Sequence, residues 1–183
     1  MAVERDAGVH VIALRAVMRR GNKPRVKARI GDLFRVPIAE GVWADGQVVG
    51  QQQPRTFLVV IFRATDRGET SLDDAIASGF DLAGIVFDAK LSNGDWPILE
   101  ARSPVTTPHL WFVDGHPELD GLRLTNFDRT VRRPCSPDEA EKHSRLHFSG
   151  PMVLQMAISA SRGFIPWRDD FDHFRRYAEE LSA

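Results

Sequence analysis

The chain carries a single cysteine, Cys135, which excludes an intramolecular disulfide and any zinc site built on several thiolates. That usage fits a reducing compartment and points to the cytoplasm. Long hydrophobic runs are missing too. The longest apolar stretch, residues 57–62, falls far short of the roughly 18 residues a membrane-spanning helix requires and reads as a buried strand. Glu4 and Asp6 precede the apolar part of the N-terminus and no small-residue cleavage site follows, so no secretory signal is expected. There is no internal repeat, no GxSxG, no phosphate-binding P-loop and no GxGxxG after a strand. Nor is there a large excess of either charge. Lys+Arg is 24 and Asp+Glu is 25, a formal net of −1 over 183 residues, which argues against a dedicated nucleic-acid binder. With 43% hydrophobic and 27% charged residues, the composition is that of one globular domain rather than a disordered chain.

The charge that is present is unevenly placed. Residues 15–35 hold eight cations (Arg15, Arg19, Arg20, Lys23, Arg25, Lys27, Arg29 and Arg35) against one acid, Asp32. From residue 36 onward, 15 cations face 22 acids. A basic N-terminal arm over residues 1–29 therefore precedes a single acidic domain over residues 30–183. Val11, Leu14 and Met18 fall at helical spacing, so residues 9–20 form a candidate amphipathic helix that Pro24 prevents from continuing. From residue 30 the pattern is that of strands: 30–38, 42–49 and 57–64 in a meander, then 82–87, 96–101, 110–113 and 122–127. Pro37 demands an edge or a bulge at the end of the first strand, and Gly46 a bulge or a close backbone approach. Asn93-Gly94 is the strongest hairpin signal. Ser71 reads as the cap of a short helix stopped by Gly79. Ser136-Pro137-Asp138-Glu139 opens a helix expected to reach about His147, and 152–160 and 169–181 read as two more. Residues 30–133 are thus mainly strands and 134–183 mainly helices. The expected fold class is α+β: a strongly bent antiparallel sheet, a meander that is partly barrel-like, with helices added mainly at the C-terminus.

Constellations that carry chemistry are sparse. His143 and His147 would share a helix face and, with Cys135, offer three metal ligands, but the spacing matches no standard zinc pattern. Cys135 beside Arg133 lacks a histidine base at a diagnostic interval among His109, His116 and His143. The paired acids Asp73-Asp74 and Asp169-Asp170 are accounted for as helix starts. Asp114, Asp120 and Asp172 add further carboxylates whose convergence a sequence does not show. No catalytic residue, metal or cofactor is expected. Trp111 and Trp167 sit in apolar surroundings and read as core. Trp43 beside Asp45, and Asp95 beside Trp96, form the candidate partner-binding set, since tryptophan supplies contact area and acids supply charge selectivity. The competing reading has Trp43 and Trp96 closing the two ends of the sheet's core.

The run Ile30-Gly31-Asp32-Leu33-Phe34-Arg35-Val36-Pro37-Ile38, followed by Gly41-Val42-Trp43-Ala44-Asp45-Gly46-Gln47-Val48, resembles the immunity protein 26 family. That family opens with a similar Gly-Asp, Phe-x-Ile-Pro-Leu, Gly-aromatic and Gly-x-Val pattern and continues into an apolar strand, comparable here to residues 57–62. Asp45 departs from it, standing where an aromatic residue is expected. The resemblance covers about a third of the chain and implies a bacterial immunity protein of a polymorphic toxin system, one that binds and neutralises a cognate toxin domain without catalysis. An acidic body suits a basic toxin such as a nuclease. Two alternatives stay open: a small β-barrel that binds nucleic acid through residues 15–35 helped by Arg129, Arg132 and Arg133, and an enzyme built on the scattered acids and histidines. A pocket gathering two or more of those groups would favour the enzyme. A membrane partner is not expected.

Overall fold

A computed structural model describes residues 25–63, 71–116, 118 and 121–183. The arm helix expected over residues 9–20 lies outside them. From Arg25 onward the chain is α+β, with ten strands and five helices among the described residues. The strands are β1 (Asp32–Ala39), β2 (Val42–Gln53), β3 (Thr56–Phe62), β4 (Phe80–Phe87), β5 (Ile98–Ala101), β6 (Trp111–Asp114), β7 (Arg123–Asn126), β8 (Arg132–Pro134), β9 (Ser144–Arg145) and β10 (Phe148–Ser149). The helices are α1 (Leu72–Ala77), α2 (Ala89–Ser92), α3 (Pro137–Ala140), α4 (Pro151–Ser161) and α5 (Asp172–Ser182), the last preceded by a 3-10 turn at Asp169–Phe171.

The strands divide over two sheets, ordered β10-β4-β3-β2-β1-β5 and β8-β7-β6-β9, and neither closes into a barrel. Both are mixed, because β10 runs parallel to β4 and β9 parallel to β6. Every residue of β3 is buried, as its uninterrupted apolar sequence requires of a strand covered on both faces. On one face Phe34, Val36, Val59 and Ile61 pack beneath Leu154, Ala157 and Ile158 of α4. On the other, Leu33, Val49, Leu58 and Val60 pack against Leu110, Phe112 and Phe127 of the smaller sheet and its flanks. Helix α5 serves both layers: Phe174 enters the first cluster, and Tyr177, Ala178 and Leu181 enter the second. It can approach β4 closely because Gly84 leaves room, an added Cβ lying 2.7 Å from the Phe174 ring.

The residues that carry the family resemblance hold the turn into β1. Gly31 adopts φ +96°, donates to the Val48 carbonyl at 2.7 Å and accepts from Arg102 N at 3.0 Å. A Cβ there would sit 2.2 Å from the Arg102 carbonyl oxygen, so only glycine fits. Asp32 accepts the Arg29 N–H at 2.8 Å. Gln47 is fully buried, donates to the Gly31 and Ser103 carbonyls and accepts from Val105 N. Gly46 is a close approach, with Val60 O 2.6 Å from an ideal Cβ. Pro37 stands beside a bulge, and the short β5 does not pair as far as it.

Three local expectations are corrected. Asn93-Gly94 joins no paired strands: Asn93 is the C-cap of α2, and the chain then crosses to the far edge of the sheet to form β5. The helix opened by Ser136 ends at Ala140, so His143 and His147 share no helix face. Residues 96 and 97 precede β5 rather than belonging to it. The caps themselves form as read, Ser71 Oγ accepting from Asp74 N and Ser136 Oγ from Glu139 N, each at 3.2 Å. Among the described residues no helix is long and apolar enough to cross a membrane.

Candidate functional site

The β1–β2 hairpin sets Arg35 opposite Asp45 and Pro37 opposite Trp43. Period-two alternation sends Phe34, Val36 and Ala44 into the core beneath α4 and leaves Arg35, Pro37, Trp43 and Asp45 on the opposite face. Trp43 is 49% exposed. Beside it Arg35 grips Asp45 bidentately, Nε to Oδ1 at 2.7 Å and Nη2 to Oδ2 at 3.1 Å, and that hydrogen bonding holds the guanidinium above its ordinary pKa. Below the hairpin, Gln155 of α4 donates to the Pro37 carbonyl at 2.6 Å and accepts from the Trp96 indole at 3.4 Å. Trp43 therefore stands on a platform tied to a helix.

The other two residues of the expected set lie elsewhere. Trp96 is 1% exposed and stacks on Phe34 with centroids 5.6 Å apart. It is a core residue and offers a partner no contact area. Asp95 is exposed on the loop after α2 and pairs with Lys90 at 3.2 Å. The arginines that would help bind nucleic acid are likewise engaged, Arg129 and Arg132 with Asp114 and Arg133 with Glu139. Trp111 and Trp167 are both half-buried; Trp167 packs on the edge of the core while its indole donates to Asp172 at 2.7 Å.

A second constellation has no counterpart in the sequence reading. The six residues from Ser144 to Ser149 pass from the smaller sheet to the larger one, and one face of α5 clamps this strap at three points. Ser144 Oγ donates to Glu180 Oε1 at 2.5 Å. The Tyr177 hydroxyl donates to the Arg145 carbonyl at 2.6 Å and accepts from His147 N at 2.9 Å. Ser149 Oγ lies 3.1 Å from His173 Nε2. The spacing 173, 177, 180 is that of one helical face. The His147 ring stacks on His173 at 4.9 Å. Burial, reinforced by His147, holds His173 below the ordinary imidazole pKa, against the Asp170 backbone and the Asp170 and Asp172 carboxylates. A groove of about 510 Å³ opens here, lined by Arg145, His147, Asp172, His173, Arg175 and Glu179 among others. It gathers the two histidines and two of the acids that the sequence left scattered. His147 and His173 come from different elements, so no linear spacing announces them.

A second hollow, about 430 Å³, lies between β2 and the smaller sheet beside Gln51, Trp111 and Asn126. Its Asn126 amide is already used by the following turn, bonded to Val131 N and Thr130 Oγ1. Cys135 is half-buried next to β8, its N–H donating to the Leu122 carbonyl. Among the described residues no three His, Cys, Asp or Glu side chains converge to hold a metal ion. Comparison with protein-family models, with curated proteins and with solved structures returns no match, and the family resemblance rests on residues 30–48 and the apolar strand after them.

Proposed function

We propose that the chain is an immunity protein: a binding protein that neutralises a cognate bacterial toxin domain by contact in the cytoplasm of the producing cell, without catalysing a reaction on it. Trp43 carries the reading. A half-exposed tryptophan on a hairpin face, opposite Pro37, whose carbonyl Gln155 of α4 holds, and flanked by a bidentate ion pair, is the kind of aromatic anchor that dominates protein interfaces. The resemblance over residues 30–48 supplies the class of partner. Since Asp45 is already held by Arg35 and Asp95 by Lys90, the tryptophan rather than free acid is assigned the contact energy.

The test is titration calorimetry of the purified chain against the toxin domain encoded beside it, with Trp43→Ala as the variant. A hot-spot tryptophan contributes about 2 kcal/mol or more, so the variant is expected to bind at least about 30-fold more weakly while keeping its melting temperature. Failure of the wild-type chain to bind at micromolar concentration removes the immunity reading. Binding that Trp43→Ala leaves unchanged removes this face from it.

A further inference from the structure

The groove beside the strap is walled by Ser144, Arg145 and His147 on one side and by α5 on the other, and no apolar side chain lines it. Residues 36–183 hold seven more acids than cations, yet here three arginines meet two carboxylates. Arg176 is already engaged: its guanidinium donates to the Glu141 carbonyl at 3.0 Å and lies 3.5 Å from Glu180. Arg145 and Arg175 make no ion pair among the described residues. We infer that Arg145 and Arg175 form a binding site for the phosphate group of a small hydroxylated monoester, a sugar phosphate in chemical class, with His147 as a third donor.

Three observations support the assignment. Arg175 is positioned before any ligand arrives. Its guanidinium carbon lies 3.6 Å from the Trp167 ring centroid, and the indole in turn donates to Asp172 Oδ1 at 2.7 Å. A guanidinium stacked by its face keeps its N–H edge for a ligand, and less freedom is lost on binding. Next, the His147 ring stacks on His173 at 4.9 Å and has no hydrogen-bond partner among the described residues. It therefore brings a free imidazole N–H to the same groove. Last, these donors exceed what a carboxylate accepts. One guanidinium fork satisfies both carboxylate oxygens, whereas a phosphate monoester offers three terminal oxygens to two forks and an imidazole. The groove, at about 510 Å³, is the size of a small-molecule site and holds more than the phosphate alone. Its remaining wall describes the rest of the ligand. Glu179 is exposed and unpaired, so it accepts from hydroxyl groups and repels a second anionic group. β3 and β4 separate this site from β2 and Trp43, so toxin binding neither requires nor implies it.

The test titrates the isotope-labelled chain with inorganic phosphate, ribose 5-phosphate or ribose and follows it by NMR, with sodium chloride at matched ionic strength as the control. Both phosphates should saturably shift the signals of residues 145–147 and 172–179, the ester binding more tightly than the ion. Ribose and chloride should leave them in place. Arg145→Ala removes an exposed, unpaired side chain, so it should keep the melting temperature and bind ribose 5-phosphate at least about tenfold more weakly. Arg175→Ala should weaken binding as much, and Arg175→Lys, which keeps the charge and loses the fork, should not restore it. Glu179→Gln removes an opposing charge and should bind inorganic phosphate several-fold more tightly. The site is overturned by the absence of a saturable shift up to about 10 mM of either phosphate, by an equal response to chloride, or by an affinity that Arg145→Ala leaves unchanged. Inorganic phosphate binding as tightly as the ester overturns the monoester assignment. Should Arg175→Ala not fold, Arg145→Ala and Glu179→Gln decide.

Discussion

Replacing Tyr177 with phenylalanine isolates what the clamp on the strap is worth. The residue is fully buried, and its ring meets Phe112 edge-on with centroids 5.3 Å apart, so Tyr177→Phe keeps the packing and removes one oxygen. That oxygen serves two backbone groups, accepting from His147 N at 2.9 Å and donating to the Arg145 carbonyl at 2.6 Å. Burial raises the phenol's pKa far above its ordinary value, so it stays protonated and able to donate. A polar group left unpaired out of water costs about 1–3 kcal/mol. Arg145 and His147 are both exposed residues, so each freed backbone group recovers part of that cost from water. The expected loss is about 2 kcal/mol, or roughly 4–8 °C in melting temperature for a domain of this size. Urea denaturation followed by circular dichroism measures it, with an unchanged m-value expected because the surface exposed on unfolding is the same. Amide exchange at His147 should accelerate well beyond that of β3. A variant within about 0.5 kcal/mol of wild type, with His147 still protected, would refute the idea that Tyr177 ties the two sheets together.

Two further outcomes follow from the same region. His173 is held below its ordinary pKa in the folded protein, so the unfolded chain takes up its proton first as pH falls. Stability should be flat above about pH 7.5 and decline below about pH 6.5, the ordinary imidazole value, until the folded form protonates as well; thermal melts should show this component of the slope vanish in His173→Gln. Gly84→Ala places a methyl group 2.7 Å from the Phe174 ring, which must move along with α5. A loss of about 1–3 kcal/mol is expected, and a melting temperature equal to wild type would show that the helix has slack.

Where local chemistry decides, the sequence was legible. The apolar run of β3, the caps at Ser71 and Ser136 and the bulge at Pro37 depend on residues a few places apart, and they appear where the pattern puts them. Trp96 was less legible. It lies in a bend before β5 between exposed Asp95 and Pro97, so no strand period assigns its face, and its acidic neighbour says nothing about its own burial. β9 and β10 are two residues each, too short for a period, and exist only because β6 and β4 are there to pair with. Asn93-Gly94 carries real turn chemistry, but a helix cap uses it as readily as a hairpin. The Ser149–His173 pair spans 24 positions and two elements, so it emerges only once α5 is docked.

Charge is where the linear reading and the folded surface part most clearly, and the difference bears on function. Counted along the chain, residues 36–183 hold seven more acids than cations, which invites the picture of an acidic face awaiting a basic partner. In the fold, Asp45, Asp88, Asp95, Asp114, Glu139 and Asp170 each sit within 4 Å of an arginine or lysine. A carboxylate held by a guanidinium presents a dipole rather than a free charge, and over a distance of about 8–10 Å salt screens what remains. The same pairing occupies Arg129, Arg132 and Arg133, which would have to exchange a carboxylate for a phosphate before contacting nucleic acid. Net charge can still speed a first encounter, but it singles out no patch. Selectivity for a partner must then come from shape and apolar contact, and on the face the family resemblance marks, the group able to supply both is Trp43.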